Sequence, residues 1–447
     1  MVLACCVSII RGRRWANWLR AATAICISLS WFSGGYGLSS AAAEPAPAPQ
    51  QSRGAYLAKI GDCAACHTAS GSDSAPYAGG LAINSPFGII YSTNITPDPV
   101  AGIGRYSYDD FRLALREGIR KDGKRLYPAM PYASFTAITD DDLHALYDYF
   151  MHEVRPIAAR PPVTALPFPV NQRWTLMFWD AAFVKHQRYE PHPNRDAQWN
   201  RGAYLVQSLG HCGACHTPRG LAYQEKGYDE QSPVFLKGNV IDNWFAANLR
   251  GNHASGLGRW SEADISGFLR TGHGAGSAVF GSMLEVIEKS TQYLYKEDLD
   301  AIAHYLKTLS PQPERSAYKP LASAAARSVE TSLTHPREDP GAGIYESYCA
   351  KCHKKNGRGD PPKFPGLAGS PIVLSENASS LIRLALEGGR TAKTRYGVKP
   401  EKMPKFARRL TDGEIAEVLS FIRNSWGNAA APVTARAVYL LRRDLQK

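Results

Sequence analysis

Apolar residues recur at helical spacing behind an acidic first turn in three stretches of the chain. These begin at Thr139 (TDDDLHALYDYFMHEV), Tyr295 (YKEDLDAIAHYLKTL) and Thr411 (TDGEIAEVLSFIRNSW). Acidic residues suit the positive end of the helix dipole, and the apolar spacing gives each helix one face to bury. Each stretch therefore predicts an amphipathic helix.

Two further helical patterns precede each of these stretches. The nearer pattern reads SYDDFRLALREGIR, SEADISGFLRTG and SSLIRLALEGGR, and the earlier one runs from Arg53, Arg201 and Gly341. A fixed order repeated three times at roughly domain length indicates three copies of one helical unit. The proline-rich stretches 155–171 and 311–340 lack an apolar period and are interpreted as linkers or wrapping segments. The predicted fold class is all-α.

Each earlier pattern ends in two cysteines three positions apart, followed at once by histidine. A close cysteine pair serves a redox dithiol, half of a zinc site or the covalent attachment of haem c. A histidine directly after the second cysteine favours haem c, because it becomes the iron ligand once the thiols bond the haem vinyl groups. Three occurrences make chance a poor explanation, so we predict three covalently bound haem c groups, at Cys63, Cys66 and His67, at Cys212, Cys215 and His216, and at Cys349, Cys352 and His353.

Methionine is the expected sixth iron ligand of an electron carrier. Residues 44–447 contain Met130, Met151, Met177, Met283 and Met403. Met403 and Met283 are the only methionines in the third and second units. In the first unit a proline-flanked loop favours Met130 over Met151, since a methionine on an apolar helix face usually fills a core. The alternatives are a five-coordinate iron or a histidine ligand such as His253 or His273.

The first 43 residues predict a cleaved secretory signal. Arg11, Arg13, Arg14 and Arg20 precede an interrupted apolar stretch and the small residues 41–43. The alternative, a retained membrane anchor, needs a longer clean apolar run. The predicted organisation is a signal peptide 1–43, haem c domain 44–156, linker 157–199, haem c domain 200–310, linker 311–340, haem c domain 341–427 and a basic amphipathic tail 428–447.

Cysteine usage indicates the cellular compartment, and the net charge limits the classes of partner. Of nine cysteines, Cys5, Cys6 and Cys26 lie in the predicted signal and six in the motifs, which leaves none for a disulfide in an exported protein. The formal net charge is +12, and residues 1–43 hold four arginines and no acid, which leaves +8 for the remainder. Export argues against a nucleic-acid partner. No later apolar run is long enough to cross a bilayer, so membrane contact is predicted to be peripheral.

Four other features each support two interpretations. An arginine in GIGRYS (102–107) and in GLGRWS (256–261) could bind a haem propionate, or the serines could simply cap helices. The aromatic stretch 171–184 either faces lipid or quinone or packs on a domain. The basic helix from Val433 either lies on a membrane or is a partner-docking or frayed tail. Seven Lys or Arg within 391–409 either steer an acidic partner or form a solvated face.

These motifs resemble the trihaem cytochrome c subunits of bacterial membrane-bound alcohol, gluconate, sorbitol and fructose dehydrogenases. The similarity includes STNITPD at Ser92, GIGRYSYDDF, RKDGKRLYPAMPY, STQYLYKEDLDAIAHYLKTL and RNSWGN. The resemblance implies three class I cytochrome c-like domains in tandem. It also implies a subunit at the periplasmic face of the cytoplasmic membrane that relays electrons from a catalytic quinoprotein or flavoprotein dehydrogenase to ubiquinone.

The residues themselves indicate an electron relay without a substrate-oxidising site. The sequence has no glycine-rich dinucleotide fingerprint, and six-coordinate haems keep substrate away from iron. A free periplasmic shuttle that feeds an oxidase or peroxidase is the alternative. A multihaem peroxidase would need an open or replaceable sixth ligand.

Overall fold

Three segments of the computed structural model repeat one order of helices. The structure describes residues 51–446 apart from 72, 321–338 and 398, so the predicted signal peptide and most of the second predicted linker lie outside the described residues. We call the segments unit one (51–156), unit two (196–310) and unit three (339–446). From Gln51 onward the chain forms one compact body.

Four helices define each unit. The leading helices are Arg53–Ile60, Ala197–Gln207 and Pro340–Tyr348. The motif turns are Cys63–Cys66, Gly213–His216 and Ala350–His353. The middle helices are Tyr108–Glu117, Glu262–Thr271 and Ser379–Glu387. The terminal helices are Asp140–Asp148, Lys296–Lys307 and Asp412–Asn424. The helices predicted from the sequence are thereby confirmed.

Further helical elements lie between these helices and after the last of them. α-Helices span Tyr132–Phe135, Leu176–Phe183, Met283–Glu285, Pro371–Leu374 and Ala435–Asp444. π-Helical turns span Tyr149–Glu153 and Val286–Ser290, and 3-10 turns span Arg173–Thr175 and Thr291–Tyr293.

Five antiparallel two-stranded ribbons accompany the helices. They pair Ala82–Ser85 with Gly88–Tyr91, Asn239–Ile241 with Trp244–Ala246, His273–Gly274 with Ser277–Ala278, Gly389–Arg390 with Lys402–Met403, and Ala317–Tyr318 with Asn428–Ala429. The fold is 39% helix and 9% strand. It is mostly helical, as predicted, but the short strands were not expected.

The helix ends follow from local chemistry. Ser107 and Ser261 cap two middle helices, and Asp110 and Asp264 complete the reciprocal capping boxes. The middle helices of units one and two end at Gly118 and Gly272, whose φ values are 61° and 79°. Glycine adopts this left-handed conformation without a Cβ penalty, so the chain turns sharply into the next loop.

Glycine also lets the leading and terminal helices of each unit come close together. A Cβ on Gly54 would lie 2.0 Å from the carbonyl oxygen of Ala145, and one on Gly202 would lie 2.0 Å from that of Ala301. At Gly341 the distance to the carbonyl oxygen of Glu417 would be 2.5 Å. The unit therefore depends on a helix crossing that excludes any side chain at this position.

Units one and two share one hydrophobic core, whereas unit three has its own. The shared core includes Leu57 and Leu143 of unit one and Leu205 and Leu299 of unit two. A smaller cluster joins units two and three, where Val279 and Ile287 pack against Ala392. Unit two therefore contacts both of the other units.

The predicted linkers wrap around the units. Asn94 of unit one donates from Nδ2 to the carbonyls of Ile157 and Ala159 at 2.7 and 3.0 Å. In the same way Asn252 of unit two binds the backbone of Gln312. The first linker also contains the helix Leu176–Phe183.

The predicted basic tail packs against unit three. Val438 is fully buried there, and Leu441 lies against the unit-three core. Arg442 donates from Nε to Asp412 at 2.7 Å. The apolar face of this helix is thus covered by protein. No helix among the described residues is long and apolar enough to cross a bilayer.

Candidate haem attachment sites

Each Cys-x-x-Cys-His motif forms a single helical turn. The backbone N–H of His67 donates to the carbonyl of Cys63 at 2.9 Å, and the N–H groups of His216 and His353 donate to Cys212 and Cys349 at 3.0 Å each. A four-residue separation brings the first cysteine and the histidine to the same face of the turn. The two thiols and the imidazole are thus presented from one short element, as covalent attachment and axial ligation of one haem require.

The three motif histidines share one hydrogen bond. Nδ1 of His67 lies 2.7 Å from the carbonyl oxygen of Thr93, Nδ1 of His216 lies 2.7 Å from that of Ala247, and Nδ1 of His353 lies 2.8 Å from that of Pro365. A carbonyl can only accept, so Nδ1 carries the proton and Nε2 holds the lone pair. This bond orients the imidazole and makes Nε2 the metal-binding atom.

Burial favours the neutral imidazole that can bind iron. It lowers the pKa of His67, His216 and His353, while the hydrogen bond to the backbone carbonyl acts in the opposite direction. The histidines are therefore suited to metal ligation rather than to carrying charge.

The cysteines do not resemble a redox dithiol or a zinc site. Burial raises the pKa of Cys63, Cys212 and Cys349 to about 12, whereas a reactive dithiol needs a stabilised thiolate. The six motif cysteines form no disulfide. Within the described residues no group of three or more His, Cys, Asp or Glu is arranged to hold a metal ion. The residues present fit covalent haem c better than either alternative.

The predicted methionine ligands lie in three different local structures. Met130 sits in a tight turn where its N–H donates to Tyr127 and its carbonyl accepts from Tyr132. Met283 opens a helical turn, and Met403 lies in a strand opposite Gly389. In units one and three the methionine packs on the same core as the first motif cysteine.

Unit two departs from this arrangement. Met283 packs against the small cluster that contains Val279, whereas Cys212 packs against the core shared with unit one. Nε2 of His273 is buried and has no hydrogen-bond partner within the described part of the chain. His253 is exposed. His273 is therefore the competing candidate for the sixth ligand in unit two.

The motif segments of units one and two lie side by side. Nε2 of His211, next to Cys212, is 3.3 Å from the carbonyl oxygen of Gly61, two residues before Cys63. The ring of His211 also contacts that of Phe135, with centroids 5.5 Å apart. The sequence offered no signal for this contact beyond the similarity of the two segments.

The two arginine-aromatic motifs are used structurally. Arg259 donates from Nε to the carbonyl of His253 at 2.7 Å and from Nη2 to that of Gly369, so it ties unit two to unit three. Arg105 is exposed. The capping interpretation of Ser107 and Ser261 is confirmed, while propionate binding stays a prediction.

Arg390 and the beginning of the basic segment 391–409 dock unit three on unit two. Arg390 donates hydrogen bonds from both terminal nitrogens to the carboxylate of Glu288. The backbone N–H of Lys393 donates to the same carboxylate at 2.6 Å. Other cationic side chains of the segment are exposed around Met403, among them Lys402, Lys405 and Arg409. The segment thus combines an internal docking contact with a cationic surface.

The aromatic stretch 171–184 has a bound side and an exposed side. Trp179 donates to the carbonyl of Ala222 at 2.9 Å, and Asp180 accepts from the Tyr132 hydroxyl at 2.7 Å. Trp174 and Phe178 remain 62% and 64% exposed. The packing interpretation is therefore correct for one side of this helix only.

The motifs and the mostly helical fold define a c-type cytochrome. The Cytochrome c family model matches residues 338–426, which cover most of unit three. A cytochrome c domain of this kind implies covalently bound haem c.

Curated relatives extend the similarity over most of the chain. The chain is 48% identical over 397 residues to the cytochrome c subunit of an alcohol dehydrogenase (quinone) from Gluconacetobacter polyoxogenes, covering 87% of this chain and 83% of the relative. It is 44% identical to the gluconate 2-dehydrogenase cytochrome c subunit of Pantoea cypripedii, over 88% of this chain and 89% of the relative. It is 41% identical to the fructose dehydrogenase cytochrome subunit of Gluconobacter japonicus, over 89% of this chain and 85% of the relative. The chain belongs to this family of dehydrogenase cytochrome c subunits, whose relationship to a catalytic subunit implies electron transfer.

Proposed function

We propose that the chain carries three haem c groups and relays electrons from a catalytic dehydrogenase subunit to ubiquinone at the periplasmic face of the cytoplasmic membrane. The observation that carries this proposal is the hydrogen bond from the motif histidine Nδ1 to a backbone carbonyl, which occurs three times. One such site would indicate a single haem, whereas three equivalent sites support a multihaem relay.

Three tandem class I cytochrome c-like domains account for the repeated helices. Each unit has a leading and a terminal helix that cross at a glycine, a motif turn after the leading helix and a methionine loop before the terminal helix. The two cysteines of each motif would hold the haem covalently. His67 and Met130, His216 and Met283, and His353 and Met403 would be the axial iron ligand pairs.

Bound haem would supply reversible one-electron chemistry at iron. The protein's contribution is to fix the ligands and the spacing of the units. Unit two packs against unit one through the shared core and against unit three through Val279, Ile287 and Ala392. Because unit two contacts both of the other units, electrons would pass between unit one and unit three through unit two.

The names of the relatives support the proposed electron donor and the proposed electron acceptor. They are subunits of dehydrogenases for alcohol, gluconate and fructose, and one name specifies quinone. A quinoprotein or flavoprotein that oxidises an alcohol, aldehyde, sugar or sugar acid is accordingly the proposed electron donor, and ubiquinone the proposed acceptor. Peripheral membrane contact through exposed apolar side chains such as Phe168, which is 79% exposed, would bring the chain to the quinone.

Purification from gently solubilised membranes tests the proposal. We expect a large catalytic subunit in fixed ratio, three haems per chain by pyridine haemochromogen analysis, and ubiquinone reduction by the purified complex. A Cys349→Ala, Cys352→Ala variant provides the matched control, since it should bind two haems. A soluble protein that purifies alone with three haems would favour the free shuttle, and fewer than three haems would contradict the relay.

A further inference from the structure

Units one and two exchange a pair of buried hydrogen bonds. The hydroxyl of Tyr56 in unit one donates to Asp298 in unit two at 2.7 Å, and the hydroxyl of Tyr204 in unit two donates to Asp142 in unit one at 2.6 Å. Tyr56, Tyr204, Asp142 and Asp298 are 6%, 5%, 2% and 7% exposed. The two contacts are equivalent, which is the pattern of an interface with approximate two-fold symmetry.

Each tyrosine also caps the terminal helix of the other unit. The Tyr56 hydroxyl accepts from the N–H of Tyr295, the N-cap residue of Lys296–Lys307, at 3.0 Å. The Tyr204 hydroxyl accepts from the N–H of Thr139, the N-cap residue of Asp140–Asp148, at 3.4 Å. One hydroxyl thus satisfies a backbone donor at a helix N-terminus and a buried carboxylate three residues later.

An arginine within each unit completes the site. Arg53 donates from Nε to Asp142 at 2.9 Å, and Arg201 donates from Nε to Asp298 at 2.8 Å. A buried carboxylate is costly unless it is paired and hydrogen-bonded. Each aspartate therefore requires the arginine of its own unit and the tyrosine of the other.

The described part of unit three does not have this tyrosine–aspartate–arginine arrangement. Tyr56 and Tyr204 lie two positions after Gly54 and Gly202. The residue two positions after Gly341 is Gly343, which has no side chain to make this bond. The residue that matches Asp142 and Asp298 is Glu414, and its carboxylate accepts from the N–H and hydroxyl of Thr411 within unit three. The shared RGAYL sequence of units one and two therefore identifies the two units that form this pair.

We propose that Tyr56, Tyr204, Asp142 and Asp298 are positioning residues that fix units one and two in one relative orientation for direct electron exchange between them. The inference rests on the proposed function. Tyr56 and Tyr204 lie on the leading helices of units one and two. These helices run directly into the two motif segments, which touch each other at Gly61 and His211. A change of orientation at the tyrosines would separate the segments that carry Cys63 and Cys212.

The test compares Tyr56→Phe, Tyr204→Phe and the double variant in the full chain. A Met130→His background gives the first haem a distinct spectrum, so equilibration between the first two haems can be followed after photochemical injection of one electron. We expect the double variant to slow this phase severalfold, because electron transfer between two haems slows steeply as their separation increases. The magnetic interaction between the two ferric haems should weaken in parallel, while the haem count stays at three.

Tyr345→Phe is the matched control. Tyr345 is fully buried in unit three and donates its hydroxyl to the carbonyl of Lys354 at 2.7 Å, away from the interface of units one and two. It should leave the phase unchanged. If the double variant fails to fold, each single variant removes one of the two tyrosine bonds and should still slow the phase, by less than the double variant. An unchanged rate and magnetic interaction in the folded double variant, or in both folded single variants, would overturn the positioning role, as would equal slowing by Tyr345→Phe. If the protein without these substitutions bound fewer than three haems, the proposed function would be overturned instead.

Discussion

His353 donates from Nδ1 to the backbone carbonyl of Pro365, which lies only 12 residues further along the chain. The equivalent acceptors of His67 and His216 lie 26 and 31 residues further along, across a β-ribbon that unit three does not have at this place. Loops of different length thus produce the same bond. The orientation of the imidazole, rather than the loop around it, is what the three units have in common.

The ligand assignment in unit two can be decided by two substitutions. Met283→Ala should remove the low-spin signature of one haem and the near-infrared sulfur-to-iron absorption of that haem only, because methionine would be lost as an axial ligand. Met177→Ala, which changes a methionine that is 48% exposed, is the control and should alter neither signal. If His273→Ala rather than Met283→Ala produced the change, His273 would be the ligand.

Alanine at Gly202 should destabilise the fold. Its Cβ would lie 2.0 Å from the carbonyl oxygen of Ala301, so the leading and terminal helices of unit two would have to separate. We expect a loss of about 1–3 kcal/mol in the free energy of unfolding by denaturant titration. Gly267→Ala is the control, because Gly267 lies in a middle helix with its nearest atom 4.0 Å away. It should gain roughly 0.5–1 kcal/mol, and equal losses in both variants would refute the close helix crossing.

Local signals in the sequence predicted most of the helical framework. Capping residues such as Ser107 and Thr411, followed by acidic residues and an apolar period, mark helix starts that the structure confirms. The motif cysteines and histidines could be recognised because their spacing is itself the chemical requirement. These features depend on residues a few positions apart, which is the range that a sequence pattern reports.

Non-local relationships could not be predicted in the same way. Tyr56 and Asp298 are 242 residues apart, and neither residue type nor spacing reveals that they meet. The strand pair at Gly389 and Met403 is only two residues long on each side, too short for an alternating pattern. The double role of the aromatic stretch 171–184 was also hidden, because such a stretch looks alike whether its rings pack or face solvent.

Glu225 should make stability depend on pH. Burial raises the pKa of its carboxyl to about 7, despite Arg219 3.9 Å away, and its Oε2 has no hydrogen-bond partner within the described residues. Because the folded pKa exceeds the ordinary value of 4.5, the stabilising contribution is complete below pH 4.5 and is lost as the pH rises through about 7. We expect a loss on the order of 3 kcal/mol across this window.

Denaturant titrations between pH 4.5 and 8 measure this dependence. Glu225→Gln should flatten it, since the amide cannot ionise, whereas the exposed Glu190→Gln should leave it unchanged. A wild-type profile that is already flat across the window would rule out the buried neutral carboxyl.

The exposed side of the aromatic helix should contribute to membrane binding. Trp174→Ser with Phe178→Ser removes two rings that are 62% and 64% exposed and whose centroids lie 6.2 Å apart. Aromatic side chains partition into the lipid interface, so we expect binding to vesicles of phosphatidylcholine and phosphatidylglycerol to fall about tenfold or more in a flotation assay. Val100→Ser, at a site 67% exposed in unit one, should have little effect. Equal binding by the aromatic variant and wild type would place the membrane contact elsewhere.

The docking of unit three should depend on Glu288. This carboxylate lies five residues after Met283 and receives Arg390 and the N–H of Lys393 from unit three, so one side chain links the two methionine loops. Glu288→Gln should weaken both contacts, cost about 1–3 kcal/mol in stability and raise amide hydrogen exchange at residues 390–396. Glu285→Gln is the control, because Glu285 pairs with Lys289 on its own surface at 2.9 Å and should change stability by no more than about 0.5 kcal/mol. Unchanged exchange at 390–396 in Glu288→Gln would mean that the remaining contacts are sufficient to hold unit three. These are the packing of Ala392 on Val279 and Ile287 and the hydrogen bonds of Arg395 and Tyr396 to Gln292.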